Sequence, residues 1–134
     1  MKVFERLSAE VESLAKQTVD SSIKVHRALG PGLLESVYET CLAHELRQRG
    51  LKVETQVVIP VVYDGVCLEA GLRLDLLINK ELIVEVKAVE PMNRIFKAQV
   101  LTYLKLANLR LALLINFNVP LLRDGIERVI HLTL

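Results

Sequence analysis

The sequence has no tryptophan, and aromatic residues make up only 4% of it. Any core must therefore be aliphatic. There are two cysteines, Cys41 and Cys67, and neither sits in a CxxC pair. That excludes a cysteine-based zinc site and a dithiol redox centre. Both are expected to be small buried hydrophobes in a reducing compartment. No apolar run is long enough to span a bilayer, so no membrane partner is expected. The opening stretch, MKVFERLSAEVESLAK, carries charge throughout and has no apolar leader core. A cytoplasmic location is the expectation. The formal net charge is +1, which gives no overall field toward nucleic acid or an anionic surface. One absence is local. Between Pro91 and Arg123 there is no Asp or Glu, while Arg94, Lys97, Lys105, Arg110 and Arg123 are basic. Such a bias makes either a solvated helix face or a positive wall.

What is present reads as one folded domain over residues 1–134, with 51% hydrophobic and 25% charged residues. The apolar composition of so small a chain leaves room for a homodimer surface. Ser8 is a helix N-cap with Glu10 and Glu12 in the first turn, and that helix runs to about Leu29. GPG at 30–32 breaks it, and a second helix runs from about Leu33 to Arg49, closed by Gly50. The period then changes. VETQVVIPVVY, VCLEAGLRLDLLI and LIVEVKAV are three strands of an antiparallel meander, with Asp64-Gly65 as the first hairpin turn. Pro60 predicts a bulge or an edge position in the first strand. Helical spacing returns through Phe96, Gln99, Val100, Tyr103 and Ala107. LRLALLINF is a strand buried on both faces, and IERVIHLTL is the last strand. The order α-α-β-β-β-α-β-β predicts an α/β sandwich with a mixed sheet of about five strands flanked by helices.

Four charged residues do not suit such a core. Glu85 and Lys87 interrupt IVEVKAVE two residues apart, so they share a strand face. Asp75 interrupts the apolar run of the strand before. Glu35 sits at the start of the second helix. Asp75 and Glu85 stand directly opposite each other only if the turn between their strands holds an odd number of residues, as with Asn79-Lys80-Glu81. Two converging carboxylates make a site for a hard cation such as Mg²⁺, which takes oxygen ligands and keeps several waters. A neighbouring lysine then orients water or stabilises charge building on phosphorus. A buried Asp/Glu/Lys ion network is the structural alternative.

The pattern Asp75…Glu85-Val86-Lys87 resembles the PD-(D/E)XK nuclease superfamily. GLLESVY at 32–38 matches the GxxExxY signature of a small bacterial and archaeal family placed in that superfamily. VHRALGPG, RLDLLI, IVEVKAV, AQVLTYL and LLINF are similar in order, so the resemblance spans residues 20–131. It implies a restriction-endonuclease-like fold and a Mg²⁺- or Mn²⁺-dependent nuclease acting on DNA. By this resemblance Asp75 and Glu85 are metal ligands, with the Val86 carbonyl, and Lys87 positions the attacking water. Glu35, from the helix, is by the same resemblance an additional ligand to the metal or to its water. Gln99 and Tyr103 match a Q-x-x-x-Y motif of helicase-associated members and hold the lysine or touch phosphate. The superfamily's proline before the first acid is missing here.

Arg73 is expected on the face of Asp75, within reach of a phosphate or a local acid. Tyr38 is expected to support Glu35 or to be a core tyrosine with a satisfied hydroxyl. His26 is expected to be structural, and His44 and His131 have no partner at ligand spacing. The rival function is a binding module for nucleic acid or protein that keeps the fold without cutting. Clustered acids that repel phosphate unless a cation is bound argue for the enzyme.

Overall fold

Ser8 caps the first helix as its sequence predicts, its hydroxyl accepting from the Val11 N–H at 3.1 Å. The computed structural model describes residues 7–90 and 92–132. The charged opening of MKVFERL, Pro91 and the end of the last predicted strand lie outside the described residues. Helix α1 spans Ala9–Leu29 and α2 spans Glu35–Gln48. Strands β1 (Val53–Tyr63), β2 (Val66–Ile78) and β3 (Leu82–Lys87) follow, then α3 (Arg94–Ala107), β4 (Leu111–Asn116) and β5 (Ile126–Ile130). The strands form one sheet in chain order, antiparallel except for β3 against β4. A parallel pair needs a crossover, and α3 supplies it. No helix among the described residues is long and apolar enough to cross a membrane.

Two aliphatic layers bury the sheet. On one side Leu14, Leu42 and Leu46 of α1 and α2 pack on Leu76, Ile78, Val84 and Val86. On the other side Val100 and Leu104 of α3 pack on Leu74, Leu77, Ile83 and Leu114. Strand β4 is buried along its whole length, so it reads as a continuous apolar run. The expected break at Pro60 is a register shift between Ile59 and Val61. The cysteines depart from expectation: Cys67 is exposed on β2 and Cys41 is half-buried. Their strand and helix faces turn partly toward solvent, so neither is a core hydrophobe.

The turn between β2 and β3 decides the position of the acids. Ile78 pairs with Leu82, leaving Asn79, Lys80 and Glu81 as a three-residue connection. Asn79 and Lys80 both take positive φ, 48° and 57°. Asparagine tolerates that region, and its side chain is held by the Lys52 N–H at 2.8 Å. The odd count brings Asp75 level with Glu85.

The GPG break is tied down by Tyr38, which is fully buried and stacked on Phe117 at 4.5 Å. Its hydroxyl donates to the Gly30 carbonyl at 2.6 Å and accepts from the Leu33 N–H at 3.0 Å. Tyr38 is therefore a core residue that fixes the entry of α2, with no hydroxyl left for a substrate. Removing that hydroxyl strands one part-buried donor and one part-buried acceptor. Tyr38→Phe is expected to cost about 1–3 kcal/mol, measured as a fall in the urea midpoint at unchanged slope.

Candidate functional site

The β2–β3 ladder ends at Leu76 and Val84. One step further the two strands exchange side chain for backbone. The Asp75 N–H donates to Glu85 Oε1 at 2.9 Å, and the Val86 N–H donates to Asp75 Oδ2 at 2.9 Å. Each carboxylate thus satisfies a donor on the other strand where a ladder carbonyl would have done so. The strands open there, and both acids stand in the gap.

Burial makes this arrangement costly. Glu85 is only 4% exposed, and it shares its face with Ile83 and the α3-side layer. Burial, and then the negative charge of Asp75, pushes its carboxyl up to about 8, against the opposing pull of the Asp75 N–H and of Lys87. No ion pair joins Lys87 to either acid among the described residues. Its ammonium instead lies over the Phe96 ring, 4.7 Å from the centroid. The ion-network alternative is therefore not what forms: the lysine stands beside the acids without neutralising them.

Helix α3 closes the same side. Tyr103 is half-buried, and burial, followed by the charges of Glu85 and Asp75, raises its phenol above the ordinary range. Gln99 is exposed and opposes that rise with a hydrogen bond to the phenol. The spacing of four joins these two on one helix face, and Tyr103 feels the charge of both acids.

The alternation of faces along β2 changes near Asp75. Leu72 and Leu74 both pack toward α3, as does Leu77, while Leu76 and Ile78 pack toward α1 and α2. The alternation slips by one residue between Leu74 and Leu76, and Arg73 is exposed beside Val58 and Glu69. Strand β1 slips at the same level, where Gln56 has φ 51°. Glu35 is exposed at the first turn of α2. His26 is buried, its Nε2 2.8 Å from the Val119 carbonyl oxygen.

Three residues missed in the sequence also build this region. The Gln56 amide donates to both oxygens of Glu39, at 2.8 and 3.1 Å, and to Asp75 Oδ1 at 3.4 Å. Glu39 is half-buried, and burial, with smaller help from Asp75 and Glu35, raises its carboxyl. Asn116 clamps the chain after β3: its amide donates to the Val89 carbonyl at 2.9 Å and its oxygen accepts from the Val89 N–H at 3.2 Å. The Phe117 N–H adds a bond to the Lys87 carbonyl at 2.9 Å. Glu39 had a signal, one turn after Glu35. Gln56 and Asn116 had none, since each looks like an ordinary polar residue in a strand.

Among the described residues no group of three His, Cys, Asp or Glu side chains is placed to enclose a metal ion. The donors present are two carboxylates, each with one oxygen engaged by backbone. They fit a hard cation that keeps most of its own water, such as Mg²⁺ or Mn²⁺, and not one that needs a closed cage. A dication would also relieve the repulsion that raises Glu85.

The family model described as the PD-(D/E)XK nuclease superfamily matches residues 12–129. That span includes Asp75, Glu85, Lys87 and every residue placed around them. No curated protein and no solved structure matches the chain.

The position of Glu85 has a pH signature. Its carboxyl holds a proton to about pH 8 in the fold, while the unfolded chain releases it near pH 4 to 5. The folded state therefore binds more protons between these limits, and stability falls as pH rises through them. Without divalent metal the melting temperature is expected to drop by several degrees from pH 5 to pH 8. Glu85→Gln should flatten the profile, and an equal slope in that variant would refute the assignment.

Proposed function

This chain belongs to the PD-(D/E)XK nuclease superfamily, and from that premise we propose that it is a divalent-metal-dependent nuclease of the GxxExxY kind. Its substrate in this reading is DNA, cut by hydrolysis of the phosphodiester bond. The observation that carries the reading is the crossed pair of half-buried Asp75 and buried Glu85, beside a lysine that does not neutralise them. A fold kept only for binding has no use for that cost.

Asp75 and Glu85, with the Val86 carbonyl, would hold Mg²⁺ or Mn²⁺. When bound, the cation supplies Lewis acidity that makes water a nucleophile and offsets charge on the phosphate. The protein's own groups do the rest. Lys87 rests on the Phe96 face, two residues from Glu85 on the same strand side. From there its ammonium orients the water and stabilises the negative charge that builds on the phosphoryl oxygens. Gln99 and Tyr103 stand on the α3 side, where an amide and a neutral phenol are donors for phosphate oxygens. Glu35, at the mouth of α2, is the additional acid.

The acid-free stretch toward Arg123 would approach the DNA backbone. Lys97 there is paired with Glu127 at 3.1 Å, so Arg94, Lys105 and Arg123 are the exposed cations left for phosphates. Contacts of this kind give salt-dependent affinity without base reading.

The test is a cleavage panel with Mg²⁺ and Mn²⁺ over linear, circular, single-stranded and branched DNA, with RNA alongside. The wild-type chain is expected to cut at least one DNA form. Asp75→Ala and Lys87→Ala should each lower the rate by about 100-fold or more. Undiminished cutting by either variant, or no cutting by folded wild-type protein, overturns the reading.

A further inference from the structure

The interruption of β1 falls level with Asp75. Thr55 pairs with Leu76 and Val57 with Leu74, but Gln56 between them adopts φ 51° and drops out of the ladder. That left-handed region disfavours a residue with a Cβ, and glycine would occupy it freely. A position needed only for the turn would therefore be best served by glycine. What glutamine adds is the amide, and the amide is aimed. Its nitrogen lies 2.8 and 3.1 Å from the two Glu39 oxygens and 3.4 Å from Asp75 Oδ1. All three neighbours are carboxylate oxygens, which only accept, so the NH₂ end must face them.

We propose that Gln56 and Glu39 are positioning residues for Asp75: Glu39 anchors the Gln56 amide, and the amide sets the plane of the Asp75 carboxylate for cation capture. The inference rests on the nuclease reading of the Asp75–Glu85 site. Asp75 Oδ2 is already fixed by the Val86 N–H at 2.9 Å. A contact at Oδ1 fixes the second oxygen, so the carboxylate cannot turn about its last bond. Glu39 would by itself repel Asp75. With the amide between them, the two acids share one donor group and hold still. Neither residue needs to touch the cation. Partners that orient metal-binding carboxylates in this way characteristically set affinity, and their loss weakens binding by about 10- to 100-fold.

The experiment measures Mn²⁺ binding by titration calorimetry, together with the metal-free melting temperature, for wild type, Gln56→Gly and Glu39→Ala. In Gln56→Gly the two readouts should part. The melting temperature stays close to that of wild type, because the relief glycine gives the backbone offsets the repulsion left between Glu39 and Asp75, while Mn²⁺ affinity falls by about 10-fold or more. A merely structural glutamine would lower the melting temperature and leave affinity alone. Glu39→Ala should weaken Mn²⁺ in the same direction, through an unanchored amide. Wild-type binding of Mn²⁺ with both variants within twofold overturns this proposal and leaves the nuclease reading standing. Wild-type protein that binds no Mn²⁺ overturns both.

Discussion

Two backbone N–H groups, of Asp75 and Val86, find carboxylate oxygens where a ladder would have given them carbonyls. The rest of the structure is arranged so that this exchange can occur. The two residues must be level, which the three-residue turn ensures. Both strands of the β1–β2 pair must change face at that height, which the paired slip at Gln56 and Asp75 achieves. The end of β3 must not wander, and Asn116 holds it from the next strand. An aliphatic sheet supplies the rigidity; the exchange supplies the exception.

That exception carries a standing cost. A carboxylate 4% exposed in an aliphatic layer, next to a second acid, opposes folding in its ionised form. The nearest cation does not cancel it, since Lys87 settles on an aromatic face instead of on an acid. Pairing would have stabilised the protein and blunted the site. Groups left in this condition respond strongly to whatever charge arrives.

Much of this was legible in the chain. The helix ends, the five strands, the Pro60 shift and the doubly buried β4 follow from spacing and from Gly, Pro and Asn positions. The opposition of Asp75 and Glu85 reduces to a parity condition on one turn. The slip in alternation was not legible, because it depends on one glutamine entering the left-handed region, for which its residue type gives no sign. Glu39 was passed over because Glu35 fits the motif, although it is Glu39 whose oxygens meet the strand. Tyr38 was readable both ways, and burial against Phe117 decided it for the core.

The scarcity of aromatics has an optical consequence. Without tryptophan, ultraviolet emission is dominated by Tyr38, Tyr63 and Tyr103. One is sealed against Phe117, one stands 75% exposed at the tip of the β1–β2 arm, and one lies within the field of the paired acids. The interior, the arm and the site thus each carry a natural chromophore in a different dielectric. Unlabelled protein can report on all three at once, and the one nearest the acids senses the local charge directly.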